Sequence, residues 1–123
     1  MIKKSIFLVL SIFLMLSSFT SCATITIPSS EEAEAKMNEL GYSVVREIQY
    51  GQLVASLNIK QVTILTADKE DAFIQVYYFT SEEDTETYFK DHASSLSKDV
   101  EVIKKNKYSI YRGSESAVND FLS

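Results

Sequence analysis

The eight residues Ala72 to Phe79 (AFIQVYYF) limit the possible folds more than any other segment. Side chains of a strand alternate between its two faces. Ile74, Val76 and Tyr78 therefore share one face, and Phe73, Gln75, Tyr77 and Phe79 share the other. An antiparallel sheet packed on one side only has a polar second face. This run has no such face, and Leu65 and Tyr111 are expected to add to its apolar side. Two arrangements satisfy the pattern. Either a short helix over 49–57 or the last helix of the chain covers the second face, or Phe73, Tyr77 and Phe79 form an exposed aromatic patch of the kind that receives a partner or ligand. The pattern alone does not choose between them, and it makes Phe73, Tyr77 and Phe79 the candidate interaction surface.

The surrounding sequence supplies the other elements. Ser29 and Glu32 form a capping box, and Ala33, Met37 and Leu40 make an apolar stripe, predicting a helix over 30–40 that Gly41 stops. Tyr42 to Ile48 reads as a strand, and Leu53, Val54 and Leu57 suggest a short helix over 49–57. Residues 61–79 read as a hairpin turning at Asp68-Lys69-Glu70-Asp71. Thr80 and Glu83 repeat the capping pattern and open a helix to about Leu96, with Tyr88, Phe89, Ala93 and Leu96 inward. A second hairpin pairs 100–104 with 108–112. A last helix follows Gly113-Ser114, with Ala117, Val118, Phe121 and Leu122 on one face. The stretch from Tyr42 to Lys104 resembles the β-α-β-β-α-β order of ferredoxin-like domains. The expected fold is a single small α+β domain. Its sheet is mainly antiparallel in that order, with extra N- and C-terminal helices.

The N-terminal segment points to an address rather than an activity. Met1-Ile2-Lys3-Lys4 is basic, and Ser5 to Phe19 is an uncharged apolar run of 15 residues. A membrane-spanning helix needs about 20 apolar residues, so this run reads as the core of a signal peptide. Phe19-Thr20-Ser21-Cys22 resembles the lipobox of bacterial lipoproteins, differing at Phe19 where Leu is commoner. That resemblance implies a diacylglyceryl group on the Cys22 thiol, cleavage after Ser21, and residence on the extracytoplasmic face of the cell membrane. Thiolate is the nucleophile such a thioether requires, and Cys22 is the only cysteine. The chain is thus divided into a signal peptide (1–21), a lipid-anchored tether (22–29) and a domain (30–123). The domain also looks similar to small Gram-positive lipoproteins with an aromatic strand before an acidic helix, a likeness with no activity attached.

Charge and residue counts narrow the function. The 123 residues carry 12 Lys and Arg against 17 Asp and Glu; without residues 1–21, 10 basic face 17 acidic, a net −7. Nucleic-acid binding needs the opposite sign. One cysteine forms no internal disulfide, and one histidine builds no multi-histidine metal site. Asp68/Glu70/Asp71 and Glu82/Glu83/Asp84/Glu86 lack calcium-loop spacing and read as a solvated turn and a helix start. Arg112-Gly113-Ser114 reads as a helix cap, and His92 as a residue at the core boundary. The functional expectation is a lipid-anchored binding or interaction module without cofactor or metal. Its expected partners are the membrane, through Cys22, and an envelope protein. The alternatives are a cell-envelope hydrolase and a structural accessory subunit. An open cleft holding His92 and an acid would favour the hydrolase.

Overall fold

The computed structural model describes residues 26–50 and 59–123. Helix α1 spans Ser30–Glu39 and starts where the capping box places it: the Ser29 hydroxyl accepts from the Glu32 amide at 3.2 Å and donates to its carboxylate at 3.0 Å. It stops because the backbone turns left-handed at Gly41, where φ is 92°. The Gly41 amide then reaches Asn38 O at 3.0 Å and the Tyr42 amide reaches Met37 O at 2.9 Å. This pair of bonds satisfies carbonyls that the helix end would leave open. Lys69 donates to a third, Leu40 O, at 2.9 Å.

Strands β1 (Ser43–Tyr50), β2 (Gln61–Lys69) and β3 (Ala72–Phe79) follow, then helix α2 (Glu82–Leu96), β4 (Val102–Lys105), β5 (Ser109–Gly113) and helix α3 (Glu115–Leu122). The expected 61–79 hairpin is present, with Lys69 opposite Ala72 and Glu70 at φ 56° in the turn. The five strands form one antiparallel sheet in the order β1-β2-β3-β5-β4. That order corrects the ferredoxin-like expectation. In a β-α-β unit the two strands run parallel, whereas β1 and β2 are antiparallel neighbours in register from Ser43–Asp68 to Tyr50–Gln61. Of the helix expected over 49–57, Gln49 and Tyr50 belong to β1 and the remainder lies outside the described residues. Helix α2 starts one residue later than expected. Because β3 continues to Phe79, Ser81 is the cap and its hydroxyl accepts from the Asp84 amide at 3.1 Å.

The sheet is covered on both faces. On one, α1 and α3 enclose Ala33, Met37, Tyr42, Leu65, Ala67, Ile74, Val76, Tyr111 and Phe121. On the other, α2 closes over Val62, Ile64, Tyr77, Phe79 and Ile110, with Tyr88, Phe89 and Leu96 pointing down. Two hydrogen bonds join α1 and the turn after it to α3. Tyr42 Oη donates to Asp120 at 2.6 Å, and Lys36 donates to the Phe121 carbonyl at 3.2 Å.

Gly113 marks the tightest packing. A Cβ there would stand 2.1 Å from Phe73 O and 2.8 Å from Ile74 Cα, both backbone atoms that cannot swing aside. Next to it, Ser114 is pinned to the start of β3 by its amide, 2.8 Å from Phe73 O, and by its hydroxyl, which accepts from the Phe73 amide at 3.0 Å. Gly113→Ala should therefore separate β5 from β3 and lower the unfolding free energy by about 1–3 kcal/mol, read as a drop in the urea midpoint.

Burial also sets a pH dependence. Tyr42 and Tyr88 have their hydroxyl pKa values pushed up to about 12, chiefly by burial, with Asp120 adding to Tyr42 and Tyr77 to Tyr88. Burial raises Tyr77, Tyr78 and Tyr111 as well. In the unfolded chain these groups ionise near 10. The folded state thus holds their protons longer, so the stability is complete below pH 10 and declines as pH rises through 10 towards 12 and above. Urea melts across that interval should show a falling midpoint, with a shallower fall for Tyr42→Phe.

Candidate functional site

The aromatic face of β3 is core, which corrects the expected interaction surface. Tyr77 and Phe79 are only 8% and 7% exposed. The Tyr88 ring of α2 lies 5.3 Å from each of theirs. Phe73 is half-buried, 5.6 Å beneath the Arg112 guanidinium. The cover is α2, the longest helix described, and not the short or last helix considered from sequence. Its inward residues were legible; that they would land on this face was not. A Tyr77→Ser/Phe79→Ser double variant should accordingly unfold rather than leave the domain intact, since truncating one buried aromatic costs about 3–5 kcal/mol. Loss of the thermal transition is the readout.

Arg112 explains how α2 is held in place. Its guanidinium donates to Leu96 O at 2.5 Å and Lys98 O at 2.9 Å, closing the C-terminal end of α2, and to Gln75 at 3.1 Å on β3. A planar fork of fixed donors suits that bridge. The Arg112-Gly113-Ser114 sequence is thus a structural joint, with the first α3 amide, Glu115 N, bound by the Glu101 carboxylate at 3.2 Å.

The remaining sequence candidates scatter. His92 is half-buried on α2, its ring stacked 4.2 Å from Tyr88 and its Nδ1 3.2 Å from Tyr88 O. The nearest acid, its chain neighbour Asp91, is 3.5 Å away and largely exposed. Glu82, Glu83 and Asp84 fill the first turn of α2, where the helix dipole favours them. Asp68, Glu70 and Asp71 surround the β2–β3 turn. Among the described residues, no three His, Cys, Asp or Glu side chains converge as a metal site would require. Cys22 lies outside the described residues. Within them, no helix is long and apolar enough to cross a membrane.

A groove of about 510 Å³ offers a better candidate, within the roughly 300–1,000 Å³ usual for ligand sites. It sits on the α1 face, at the sheet end where β3 finishes and β5 begins. Ile27, Pro28, Ser29 and Glu32 form one wall, Asn106, Lys107 and Tyr108 the other, and Tyr78 and Ser109 the floor. Local interactions shape it. Tyr78 Oη donates to Pro28 O at 3.0 Å, which ties residues 27–29 to the sheet. Those residues were expected to belong to the tether; Ile27 instead packs against the core beneath α1 and α3. Across the groove, the Asn106 amide bonds Ser109 O at 2.7 Å and sets the β4–β5 turn.

Two features of this groove stand out chemically. Asn106 Nδ2 is shielded from solvent, and the Asn106 side chain meets the buried Tyr111 hydroxyl, where its hydrogen bond opposes the rise that burial gives that group. Tyr108 is 50% exposed, with Lys107 Nζ 5.5 Å from its ring centroid. Neither residue stood out in the sequence, because a Lys-Asn-Lys turn followed by Tyr looks like any hairpin. Comparison with protein-family models, with curated proteins and with solved structures returns no match.

Proposed function

We propose that this chain is a bacterial lipoprotein, anchored by a lipid on Cys22 to the extracytoplasmic face of the cell membrane, whose domain acts by binding. The observation that carries the binding reading is the groove, with its exposed Tyr108 ring beside Lys107. Convergent polar groups in a concave, partly apolar site are what ligand sites share. His92 stacks on Tyr88 and is not among the groove residues, which favours binding over hydrolysis.

The anchor reading rests on the basic start, the 15-residue apolar run and Phe19-Thr20-Ser21-Cys22. The packing of Ile27 adds a geometric consequence. Five residue steps separate it from Cys22, at most about 18 Å of chain. A lipid on Cys22 would hold the groove close to the bilayer, whereas the net −7 of the remaining chain opposes contact with anionic headgroups. Two acyl chains suffice for stable anchoring without help from the protein surface.

Cys22→Ala should abolish incorporation of labelled fatty acid and leave a precursor that retains its first 21 residues. Mass spectrometry of the native protein checks this directly: an unmodified thiol on Cys22 in the mature chain would remove the anchor from the proposal.

A further inference from the structure

We propose that the outer edge of β1 pairs with the same edge of a second copy of this chain. The pairing joins two five-stranded sheets into one across a two-fold axis at Ile48. It goes beyond the binding reading and uses none of the groove residues.

The two edges of the sheet are built differently. β4 has four residues, and its exposed Lys104 and Lys105 are the usual protection of an edge against another chain. β1 has eight residues, no proline and no lysine, and among the described residues only β2 is paired to it. Of the five large apolar side chains exposed among the described residues, three lie on β1: Val45 at 62%, Ile48 at 44% and Tyr50 at 60%. An edge of that length and composition receives a further strand.

Geometry restricts how a second copy supplies it. Antiparallel pairing of two identical edges needs a two-fold axis along the sheet normal, which leaves α1 on the same side in both copies. Directly opposite residues of an antiparallel pair share a face. Even-numbered residues of β1 therefore meet even-numbered ones, and the axis passes through one residue that faces itself.

Charge then selects that residue. An axis at Arg46 or Glu47 sets like charges against each other, which opposes pairing. An axis at Val45 leaves Ile48 and Tyr50 beyond the partner strand, and one at Val44 or Gln49 engages three residues of each strand. An axis at Ile48 engages five without conflict: Ile48 meets Ile48, Arg46 meets Tyr50 twice, and Glu47 meets Gln49 twice. These are an apolar pair, a guanidinium beside an exposed ring, and an amide donor beside a carboxylate. Glu31 and Glu34 of α1, at 3.2 and 3.5 Å, already hold Arg46 on that face.

The same axis leaves Ile27 of both copies on one side of the joined sheet, so two lipid anchors can enter one bilayer. A seam of five residues is only about 17 Å long, and both chains carry net −7 after residue 21. The dimer is therefore weak in dilute solution, and is favoured by salt and by confinement to a membrane.

The test is disulfide trapping of the full chain in its native membranes. Facing residues of paired strands hold their Cβ atoms about 4.5–5.5 Å apart, which a disulfide spans after a small adjustment. Chains carrying Ile48→Cys, Glu47→Cys or Lys104→Cys are oxidised with copper phenanthroline, beside the wild type as the control for Cys22. Mass spectrometry identifies the bridged peptides. Ile48→Cys should link two copies through that position several-fold faster than either other variant. Sedimentation of the full chain in zwitterionic micelles should show a dimer that increases with salt and that Ile48→Lys abolishes. Ile48 is exposed, so the thermal transition of Ile48→Lys should stay in place, which separates lost pairing from unfolding.

Equal trapping of Ile48→Cys and Lys104→Cys means random collision and would overturn the proposal. Faster trapping of Glu47→Cys would overturn the axis at Ile48. A bridge from Ile48→Cys to other proteins alone would replace the second copy with an extended segment of a different partner, and self-pairing would fall. An Ile48→Lys chain that dimerises as well as the wild type would remove it too.

Discussion

A strand with no polar face has to be enclosed from both sides, and β3 imposes that condition on the whole domain. Ile74 and Val76 are fully buried towards α1 and α3, and Tyr77 and Phe79 are buried towards α2. A two-layer arrangement would leave one of these sets in water. Fully burying each such side chain is worth roughly 1.5–3 kcal/mol, so the third layer is strongly favoured. Placing β3 at the centre of β1-β2-β3-β5-β4 follows from the same demand.

The two helical layers are attached by different means. On one face, α1 and α3 rely on apolar contact supported by Tyr42–Asp120 and by Lys36 at the end of α3. On the other, a single helix, α2, has no basic residue in its last turn. Arg112 supplies that charge from β5 instead, and reaches Gln75 on β3 at the same time. Its neighbour Gly113 allows β5 and β3 to approach within a distance that no Cβ would permit. Three consecutive residues, Arg112, Gly113 and Ser114, therefore set the position of α2, the spacing of the central strands and the entry to α3. Such a short segment is mechanically central, although in sequence it reads only as a helix cap.

Once both faces of β3 are enclosed, binding chemistry is displaced to the end of the sheet. There the chain enters at Ile27–Pro28 and the β4–β5 turn projects, leaving a groove over Tyr78 and Ser109. Its polar and aromatic groups come from segments almost 80 residues apart, since Tyr78 Oη fixes Pro28 while the Asn106–Ser109 bond fixes the opposite wall. The site depends on that meeting, and neither half of it has a motif of its own.

The elements governed by nearest neighbours were legible in the sequence. Ser29 and Glu32 start α1, Gly41 ends it, and the period-two run at 72–79 with its upstream partner forms the β2–β3 hairpin. These depend on caps, left-handed turns and alternation, which act over a few residues. The inward face of α2 was legible for the same reason. What only the tertiary structure decided was which surfaces meet. It set β1 beside β2 as an antiparallel pair, laid α2 over Tyr77 and Phe79, and brought Ile27 opposite Tyr108. An aromatic strand face looks the same in sequence whether water or a helix covers it. The difference lies in long-range packing, where the burial of the whole chain, and not the preference of any segment, sets the lowest free energy.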